Sequence, residues 1–330
     1  MWYYEVDDDG IVISSRVRFA RNFKEYKFPN MMNKEDANKL INSMENVLND
    51  KAKLIKLSAV DNITLNSLVE RHLVSKEFLS DKDKRALLLS DDCTLSIMIN
   101  EEDHLRIQGF ASGNNIQKAY QIAKNAEKQI GEKQEYAMHE KFGYLTSCPT
   151  NVGSGLRVSV MLHLPALTKL GYISRLLQDA AAFGIAIRGI YGENTAAEGH
   201  IYQISNQRTM GYTDEEIIAS VEKIVKNIVN QEKKARTILM EDKTYFEDKV
   251  MRALGVLKYA RRMDTEEAEK HLSIVRMGVS LGIVQDIDKN LIQKISVNVH
   301  PNMLKLELKK GMEEGQRDIE RSNYIRKELK

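Results

Sequence analysis

Five arginines lie in four segments that are far apart in the sequence, and together they could bind a polyphosphate. Arg16 and Arg18 alternate after a β-branched run, and the others are Arg106, Arg157 and Arg188. Guanidinium groups bind phosphate oxygens through paired hydrogen bonds, so several of them in one pocket suit a polyphosphate. Alternation places Arg16 and Arg18 on the same face of a strand. Taken alone, such a pair is more typical of a solvated strand edge.

An acidic segment, Glu101-Glu102-Asp103-His104, stands two residues before Arg106 and would by default be a hydrated turn. Carboxylates beside a phosphate site suit a cationic acceptor instead. A free guanidinium has a pKa of about 13.8, so as an acceptor it must be oriented and relieved of a proton. Two carboxylates at opposite ends of its plane could do this, and Glu102 and Glu193 are the candidates. Arginines and carboxylates together suggest phosphoryl transfer from a nucleotide to a positively charged nucleophile.

Glycines flank two of the arginine segments. Gly153-Ser154-Gly155 precedes Arg157, and the backbone N–H groups of such a loop can approach phosphates. The segment from Arg188 to Glu193 contains two glycines, which is consistent with a mobile loop that closes over a substrate. A glycine-rich turn is usually only a turn, so neither pattern is specific alone.

Several other kinds of site are not indicated. His72 and His104 have no partner at metal-ligand spacing, so each is expected to be a hydrogen-bonding or core histidine and no protein metal site is predicted. Neither a P-loop nor a glycine-rich loop of the protein-kinase type occurs. The two cysteines, Cys93 and Cys148, imply no disulfide framework.

The composition is that of a globular protein with balanced charge. Its 49 basic and 47 acidic side chains nearly cancel, so nothing points to bulk attraction to nucleic acid or to a membrane. No apolar run approaches the roughly 18 residues needed to span a bilayer. The start, Met1 to Glu5, lacks the basic flank and apolar core of a signal peptide. We expect a reduced, cytoplasmic protein.

The first part of the chain mixes strand and helix patterns without regular alternation. Asn33 is a candidate N-cap for a helix with apolar residues at helical spacing. Residues 94–100 alternate like a half-buried strand, and 105–110 form its predicted hairpin partner. Residues 115–130 return to a helical period. This order favours an antiparallel sheet in an α+β fold.

Further elements follow before the pattern changes. Residues 142–147 are predicted as a short strand, and Pro165 is predicted to open a helix that ends near Phe183-Gly184. Strands are predicted at 185–191 and 200–205.

The last third of the chain is predicted to be helical. Thr213-Asp214-Glu215-Glu216 is a capping box that begins a long helix. Strand patterns weaken after about residue 234, and residues 244–330 are predicted to be mostly helical. With 330 residues, the chain has room for two domains.

The motifs around the five arginines resemble those of a known family. The strings S-S-R-V-R, N-E-E-D-H-L-R-I, C-P-T-N-V-G-S-G-L-R and R-G-I-Y-G-E look like those of the ATP:guanidino phosphotransferases, the family of arginine and creatine kinases. Their order and spacing match over residues 11–234. The resemblance implies an α+β catalytic domain of the phosphagen-kinase type at 11–234, with an antiparallel sheet flanked by helices. An all-helical domain at 235–330 would follow it.

The resemblance extends to one branch of that family. The separate N-terminal helical domain of the kinases for small guanidino metabolites has no counterpart in this sequence. The helical extension and the string V-M-L-H-L-P-A-L at 160–167 resemble those of the bacterial protein-arginine kinases. The branch has R-D-x-x-R-A in its extension, and Ser322 replaces the alanine here. Tyr191 stands where the wider family has a second loop arginine.

The resemblance also implies roles for individual residues. Glu102 and Glu193 would be the catalytic carboxylates, and Cys148 would lie beside the guanidinium. The residues expected to hold ATP are Ser14, Ser15, Arg16, Val17, Arg18, His72, Arg106, Arg157, Val158, Ser159, Val160, Met161, Arg188, Gly189, Ile190, Tyr191, Gly192 and Glu193. A second pocket, for phosphoarginine, would be formed by Arg317, Asp318, Ile319, Glu320, Arg321 and Ser322. Spacing alone favours a solvated helix end for that segment.

The implied activity is transfer of the ATP γ-phosphoryl group to arginine side chains in proteins. The alternatives are a kinase for a free guanidino metabolite such as arginine, and an inactive phosphoarginine-binding protein. ATP would be the co-substrate, and Mg²⁺ would be held mainly by the nucleotide and water. The implied partners are unfolded or regulatory protein substrates, a zinc-binding activator, a Clp-type protease and further copies of the chain. Phosphorylation would then mark proteins for degradation during stress. Nothing indicates a membrane or a nucleic-acid partner.

Overall fold

The structure is a computed structural model that describes residues 1–48, 51–189 and 198–330. This part of the chain contains ten strands and eleven α-helices. The strands are β1 (Val12–Arg21), β2 (Lys53–Lys56), β3 (Ala86–Leu89), β4 (Leu95–Ile99), β5 (Leu105–Ser112), β6 (Met138–His139), β7 (Gly143–Tyr144), β8 (Leu156–His163), β9 (Ile185–Gly189) and β10 (Ile201–Asn206). The helices are α1 (Lys34–Ser43), α2 (Asn62–Glu70), α3 (Ile116–Gly131), α4 (Pro165–Lys169), α5 (Ile173–Ala182), α6 (Asp214–Leu239), α7 (Lys243–Tyr259), α8 (Thr265–Ser280), α9 (Lys289–Asn298), α10 (Pro301–Leu308) and α11 (Glu314–Glu328).

Eight strands form one sheet in the order β2-β3-β4-β5-β1-β8-β10-β9, and β6 and β7 form a separate two-stranded ribbon. Every strand pairing among the described residues is antiparallel. The predicted α+β fold with an antiparallel sheet is therefore confirmed. β1 lies inside the sheet, paired with β5 on one side and β8 on the other.

One face of the sheet is apolar and covered by helices. Val17 and Phe19 of β1 are fully buried on it, and α3 packs against β1 and β5 there while α6 packs on β8 and β10. Gly109, opposite Val17, permits the close approach of α3, since a Cβ at this position would lie 2.1 Å from the carbonyl oxygen of Ala119. The other face carries the alternating polar residues of β1 and β8. A second apolar cluster, which includes Leu87, Met98 and Phe110, lies on this face at β3 to β5.

Several elements that were predicted from local sequence patterns are confirmed. The Asn33 side chain accepts a hydrogen bond from the Asp36 N–H, and Thr213 and Glu216 form both bonds of the capping box. β4 and β5 are the predicted hairpin, and α3 fills the predicted helix at 115–130. Each of these signals lies within a few residues of the element that it specifies.

Two predicted bounds are wrong. The helix expected from Pro165 to Phe183 is two helices, α4 and α5, because Gly171 has a left-handed φ of 75° and ends the first. The strand expected at 142–147 is only the two residues of β7. The strand expected at 185–191 is described as β9, and its last two residues lie outside the described part of the chain.

The helices α7 to α11 confirm the predicted helical C-terminal region. Within it, α9 packs against the N-terminal turn (Trp2–Tyr4) and α10 packs against α2. Gln293 of α9 donates to the carbonyl of Tyr3 at 2.9 Å, and Tyr4 donates to Asn298 at 3.0 Å. The Glu70 carboxylate, at the end of α2, accepts from the N–H groups of the first turn of α10. None of the described helices is long and apolar enough to cross a membrane.

Candidate active site

The predicted arginines lie together on the polar face of the sheet. Arg18 of β1 is opposite Arg157 of β8, and Ala20 is opposite Arg106 of β5. Residues paired across strands share a face, and so do alternate residues of one strand, which adds Arg16 to the same face. Because β1 is an interior strand, the alternative of a solvated strand edge does not hold.

Arg188 of β9 joins this face two strands away. It is paired with Gln203 of β10, whose neighbour across the other ladder is Met161 of β8. The Arg16 guanidinium donates to Gln203 Oε1 at 2.9 Å and to Ser159 Oγ at 3.2 Å, both of them neutral acceptors. We call the five residues Arg16, Arg18, Arg106, Arg157 and Arg188 the arginine face.

The guanidinium groups of the arginine face repel one another. Burial, followed by the charges of Arg106 and Arg157, lowers the pKa of Arg16 to about 10. Burial and the neighbouring Arg16, Arg106 and Arg157 lower the pKa of Arg18 well below its ordinary value. Burial and then Arg188 and Arg106 lower that of Arg157. Cations held this close favour an anion that neutralises them together.

Two glutamates from the β4–β5 turn lie at one end of the arginine face, and they differ in their partners and in their exposure to solvent. Glu101 accepts from Arg106 Nη1 at 3.0 Å and from Ser75 Oγ at 2.6 Å, so it is a buried ion-pair partner. Glu102 Oε2 lies 3.8 Å from Arg106 Nη2, and its side chain is 42% exposed. Burial, followed by the charge of Asp103, raises the pKa of Glu102. Glu102 is therefore the carboxylate that is open to a further cation.

The other two residues of the acidic segment hold the turn in place. The buried Asp103 carboxylate accepts from Asn22 Nδ2 at 2.6 Å and from the Ser147 N–H at 2.7 Å. The His104 ring contacts the Phe23 N–H and the Lys27 carbonyl, and burial lowers its pKa. His104 is thus a structural histidine, as expected.

A cleft of 470 Å³ opens beside Glu102. Its lining includes Asn30, Lys84, Arg85, Asn100, Glu101, Glu102 and Ser147. Cys148 follows Ser147, and its Sγ lies 3.0 Å from Thr150 Oγ1. Cys148 and Glu102 both act electrostatically on the pKa of Arg157, so the three residues lie in the same part of the site.

A small cavity lies at the other end of the arginine face. It is lined by Trp2, Ser14, Arg16, His72, Phe110, Ser159, Met161 and Gln203. His72 has a left-handed φ of 58°, and burial, followed by Arg16 and His300, lowers its pKa to about 3. The His72 ring is therefore neutral, and it can exchange hydrogen bonds with an uncharged ligand.

The predicted nucleotide residues divide by strand alternation. Ser14, Arg16, Arg18, Arg157, Ser159 and Met161 lie on the polar face. The side chains of Ser15, Val17, Val158 and Val160 lie on the opposite, buried face, where Ser15 donates to the Gly113 carbonyl at 2.8 Å. Gly189 ends β9, and Ile190, Tyr191, Gly192 and Glu193 lie outside the described residues. Within the described ranges, no group of three His, Cys, Asp or Glu could hold a metal ion.

The segment predicted to bind phosphoarginine is the first half of α11. The Asp318 carboxylate accepts from Arg321 at 2.8 Å and from Arg262 at 3.4 Å. Arg321 is fully buried and also donates to the carbonyls of Val299 and Met263, each at 2.8 Å.

The outer part of α11 differs from this buried pair. Glu320 pairs with Lys310 at 3.0 Å and Ile319 is exposed, whereas Ser322 is buried and its Oγ donates to the Asp318 carbonyl at 3.2 Å. The buried Nε of Arg317 and Nη2 of Arg321 have no hydrogen-bond partner in the described chain. Arg317 is a half-buried residue, whereas Arg321 is enclosed by the helical region.

Sequence reasoning missed three residues of the site: Trp2, Gln203 and Ser75. Gln203 alternates along β10, a pattern that would have put it on the face of Arg188. Trp2 and Ser75 reach the site only through the packing of distant segments, and no local pattern marks them.

Comparison with protein families gives two matches along the chain. Residues 26–235 match the ATP:guanido phosphotransferase C-terminal catalytic domain, and residues 243–330 match the protein-arginine kinase McsB C-terminal domain. The chain is 41% identical to the protein-arginine kinase of Clostridium kluyveri, over 99% of this chain and 96% of that protein. It is 40% identical to the protein-arginine kinase of Bacillus mycoides, over 98% and 93%.

Two solved structures of similar fold are a taurocyamine kinase and a lombricine kinase. The duplicated taurocyamine kinase of Schistosoma mansoni, bound to components of a transition-state analogue, superposes with a TM-score of 0.61 at 27% identity. That match covers 68% of this chain and 33% of the duplicated one. Lombricine kinase superposes with a TM-score of 0.59 at 25% identity, over 69% and 68%.

Proposed function

The chain belongs to the ATP:guanido phosphotransferase family, in its protein-arginine kinase branch, and from that premise we propose that it transfers the γ-phosphoryl group of ATP to arginine side chains of proteins. The observation that carries the proposal is the arginine face, which ends at an open carboxylate, Glu102, beside an acceptor cleft. An anion site and a cation site that meet are what phosphoryl transfer to a guanidinium requires.

The arginine face would act on the phosphates. Its guanidiniums are already close, so binding the triphosphate relieves their repulsion and spreads positive charge around the transferring group. Arg16 is held by two neutral acceptors and Arg106 by Glu101, so both are oriented before ATP arrives. This preorganisation lowers the barrier because little rearrangement accompanies the reaction.

Glu102 would act on the acceptor. An arginine side chain entering the cleft would place its guanidinium against this carboxylate, which orients the attacking nitrogen and accepts the proton that it loses. Glu193, expected on the loop after β9, would hold the other end of the guanidinium plane. Cys148 would line the acceptor end, near Arg157.

Mg²⁺ would enter with the nucleotide. Glu101 is engaged by Arg106 and Ser75, and the described side chains offer no cluster of three ligands, so phosphate oxygens and water would hold the ion. When bound, it would supply charge neutralisation on the phosphates.

The proposal is tested by incubating the protein with Mg-ATP and two acceptors in parallel, unfolded casein and free arginine. We expect phosphoarginine on casein peptides by mass spectrometry under conditions that preserve the acid-labile P–N bond. Little transfer to free arginine is expected. Transfer to free arginine alone would instead establish the metabolite-kinase alternative, and transfer to neither would contradict a kinase.

The same family membership supports a wider role, that the phosphorylated arginines mark proteins in the cytoplasm for a Clp-type protease during stress. A zinc-binding activator protein would stimulate the kinase. Casein modified by wild type and casein treated with Glu102→Gln can be compared as substrates of a purified Clp protease. We expect faster degradation of the first, and equal rates would contradict the marking role.

We also propose that the first half of α11 binds phosphoarginine and couples it to assembly and activity. The unpartnered donor of Arg317 supports an anionic ligand, and the neighbouring Asp318 carboxylate supports a cationic one beside it. Free phosphoarginine titrated into wild type and Arg317→Met, with rate and sedimentation as readouts, tests this proposal. A response that is the same in both proteins would contradict it.

A further inference from the structure

A second cavity continues from the nucleotide end of the arginine face into the C-terminal helices. It shares Trp2, Ser14, His72 and Met161 with the small cavity beside Arg16. Its far wall is built by α8, α9 and the start of α10, and includes Arg276 and Gln293. Its volume is 80 Å³, whereas one water needs only about 10–15 Å³ on this measure. The cavity therefore has room for a group larger than a single water, such as part of a ring system.

Two buried side chains in this wall carry unused hydrogen-bonding capacity. Arg276 is 2% exposed; its Nη2 donates to Ser296 Oγ at 3.1 Å, while Nη1 has no partner among the described residues. Gln293 is 6% exposed; its Nε2 donates to the Tyr3 carbonyl at 2.9 Å, while Oε1 has no partner within the same ranges. Buried polar groups are nearly always paired. An unpaired donor and an unpaired acceptor on two side chains that line one cavity could therefore bind a ligand there after a small rotation of each side chain.

The electrostatics of Arg276 agree with this assignment. Burial and the charge of Arg236 lower its pKa to about 10, and its described hydrogen bond is to a neutral hydroxyl. A buried cation without a carboxylate partner is costly unless a ligand accepts from it. Nitrogen acceptors on the edge of a heteroaromatic base can do so, and an exocyclic amino group can donate to a glutamine oxygen.

We propose that the C-terminal helical region forms the inner wall of the nucleotide site, with Arg276 and Gln293 binding the edge of the adenine base. The inference rests on the proposed use of ATP and adds to it. The phosphates would lie on the arginine face, the ribose near His72 and Met161, and the base between Trp2 and α8–α9. Nucleotide binding would then be linked to the position of the helical region, because both regions contact one ligand.

The single tryptophan of the chain gives a direct measurement. Trp2 lines both cavities and stacks on Phe110 with centroids 4.7 Å apart, so its fluorescence should respond to a base that enters. ATP and inorganic tripolyphosphate are titrated into wild type, Arg276→Met and Gln293→Met. Tripolyphosphate has no base to change the Trp2 fluorescence, so its affinity is measured by its displacement of a bound fluorescent nucleotide. Methionine keeps the side-chain volume, and in Arg276→Met it removes a buried charge, so folding should persist.

The expected result is a loss of preference for the base. Wild type should bind ATP more tightly than tripolyphosphate, and each variant should lose about 10-fold in ATP affinity with tripolyphosphate affinity unchanged. Arg252→Met and Gln285→Met, which change exposed residues on the same helical region, should keep the wild-type ratio.

Two other outcomes separate the two claims. An unchanged ratio of ATP to tripolyphosphate affinity in both cavity variants would overturn this inference and leave the kinase proposal standing. If wild type binds neither ligand, the proposed function fails, and this inference fails with it. Should Arg276→Met not fold, judged by circular dichroism, Gln293→Met alone decides between these outcomes.

Discussion

Arginines cluster in two regions of this chain, on the polar face of the sheet and in α11, and the two clusters are built in opposite ways. On the sheet, Arg18 is surrounded by Arg16, Arg106 and Arg157, and burial lowers its pKa. In α11, the guanidinium of Arg321 is bonded to two backbone carbonyls and to Asp318. The first arrangement leaves positive charge for a ligand, whereas in the second the charge of Arg321 holds helices together.

The contrast gives a rule for interpreting buried arginines. Arg21 follows the α11 pattern, since it pairs with Glu127 at 2.9 Å and donates to the carbonyls of Ala20 and Ser154. It lies next to the arginine face in sequence, yet strand alternation turns it to the other side. Substitution should therefore affect chemistry on the sheet face and folding at the carbonyl-bound positions.

The largest effect should come from removing the open carboxylate of the sheet site. Glu102→Gln keeps the shape of the side chain and removes the proton acceptor, so kcat should fall by ~10²–10⁴-fold. The midpoint of thermal unfolding should not fall, because Glu102 makes only a loose 3.8 Å contact with Arg106. The measurement is the initial rate of casein phosphorylation, with ATP affinity as the control. A rate near wild type would remove Glu102 from the chemistry.

The next largest effect should be on folding, from Arg321→Met in α11. The change leaves the carbonyls of Val299 and Met263 without a donor and removes one of the cations that pair with Asp318. Breaking a buried ion pair in this way lowers the free energy of unfolding by about 3–5 kcal/mol. Urea unfolding measures this loss. Arg252→Met, an exposed arginine on α7, is the matched control and should change little.

The same Arg321→Met protein also tests the comparison in the other direction. At a temperature where it remains folded, and with no phosphoarginine added, it should still phosphorylate casein, since α11 packs on α7, α9 and α10. Loss of the chemistry in a folded protein would mean that the two arginine clusters are not separate in function.

A smaller effect of opposite sign on stability should follow from Arg18→Met. The lost guanidinium should weaken ATP binding by about 10–100-fold, the value of a charge-assisted hydrogen bond. Removing one of several like charges should also stabilise the free protein, on the order of 1 kcal/mol. Isothermal titration and urea unfolding measure the two quantities. A variant that is destabilised would show that Arg18 has a structural role like that of Arg321.

The sequence predicted the sheet site better than the helical one, and the physical reason is local. Alternation along β1 puts Arg16 and Arg18 on one face, and the acidic turn between β4 and β5 is marked by its own residues. The two come together through the pairing of β1 with β5, which the family resemblance implied and no short-range pattern reports. The capping box at Thr213 and the N-cap at Asn33 were equally local. Glu193 was predicted on the loop after β9 and stays a prediction, since it lies outside the described residues.

What the sequence could not supply depends on packing between distant segments. The pattern R-D-x-x-R in α11 does not reveal that Arg321 points at the carbonyls of Val299 and Met263, which belong to other parts of the helical region. In the same way, Trp2 reaches the nucleotide end only because the N-terminal turn packs between β5 and α9. The break between α4 and α5 rests on the left-handed backbone at Gly171, which a helical period does not report.

The smallest predicted effect is a shift in pH dependence that belongs to the sheet site alone. Burial, followed by Asp103, raises the pKa of Glu102 above that of an ordinary glutamate. The carboxylate must be ionised to orient and deprotonate the acceptor, so kcat/KM for casein should fall as pH falls through this raised pKa. A guanidinium bound next to Glu102 favours the ionised carboxylate and lowers its pKa. The corresponding decrease in kcat should therefore occur at lower pH than the decrease in kcat/KM.

The sign of the linked change in stability follows from the same shift. A carboxyl group whose pKa is raised on folding favours the folded state most when it is protonated, and this contribution is lost as pH rises through the folded pKa. Glu102→Gln, which cannot ionise, should therefore gain stability over wild type at neutral pH and lose that advantage in acid. In the pH profile of the residual Glu102→Gln activity, the decrease caused by protonation of Glu102 should be absent, while any decrease caused by protonation of ATP should remain. If the acid limb of kcat/KM persisted unchanged in Glu102→Gln, the titrating group would be another carboxylate, and Glu102 would only be a neighbour of the arginine face.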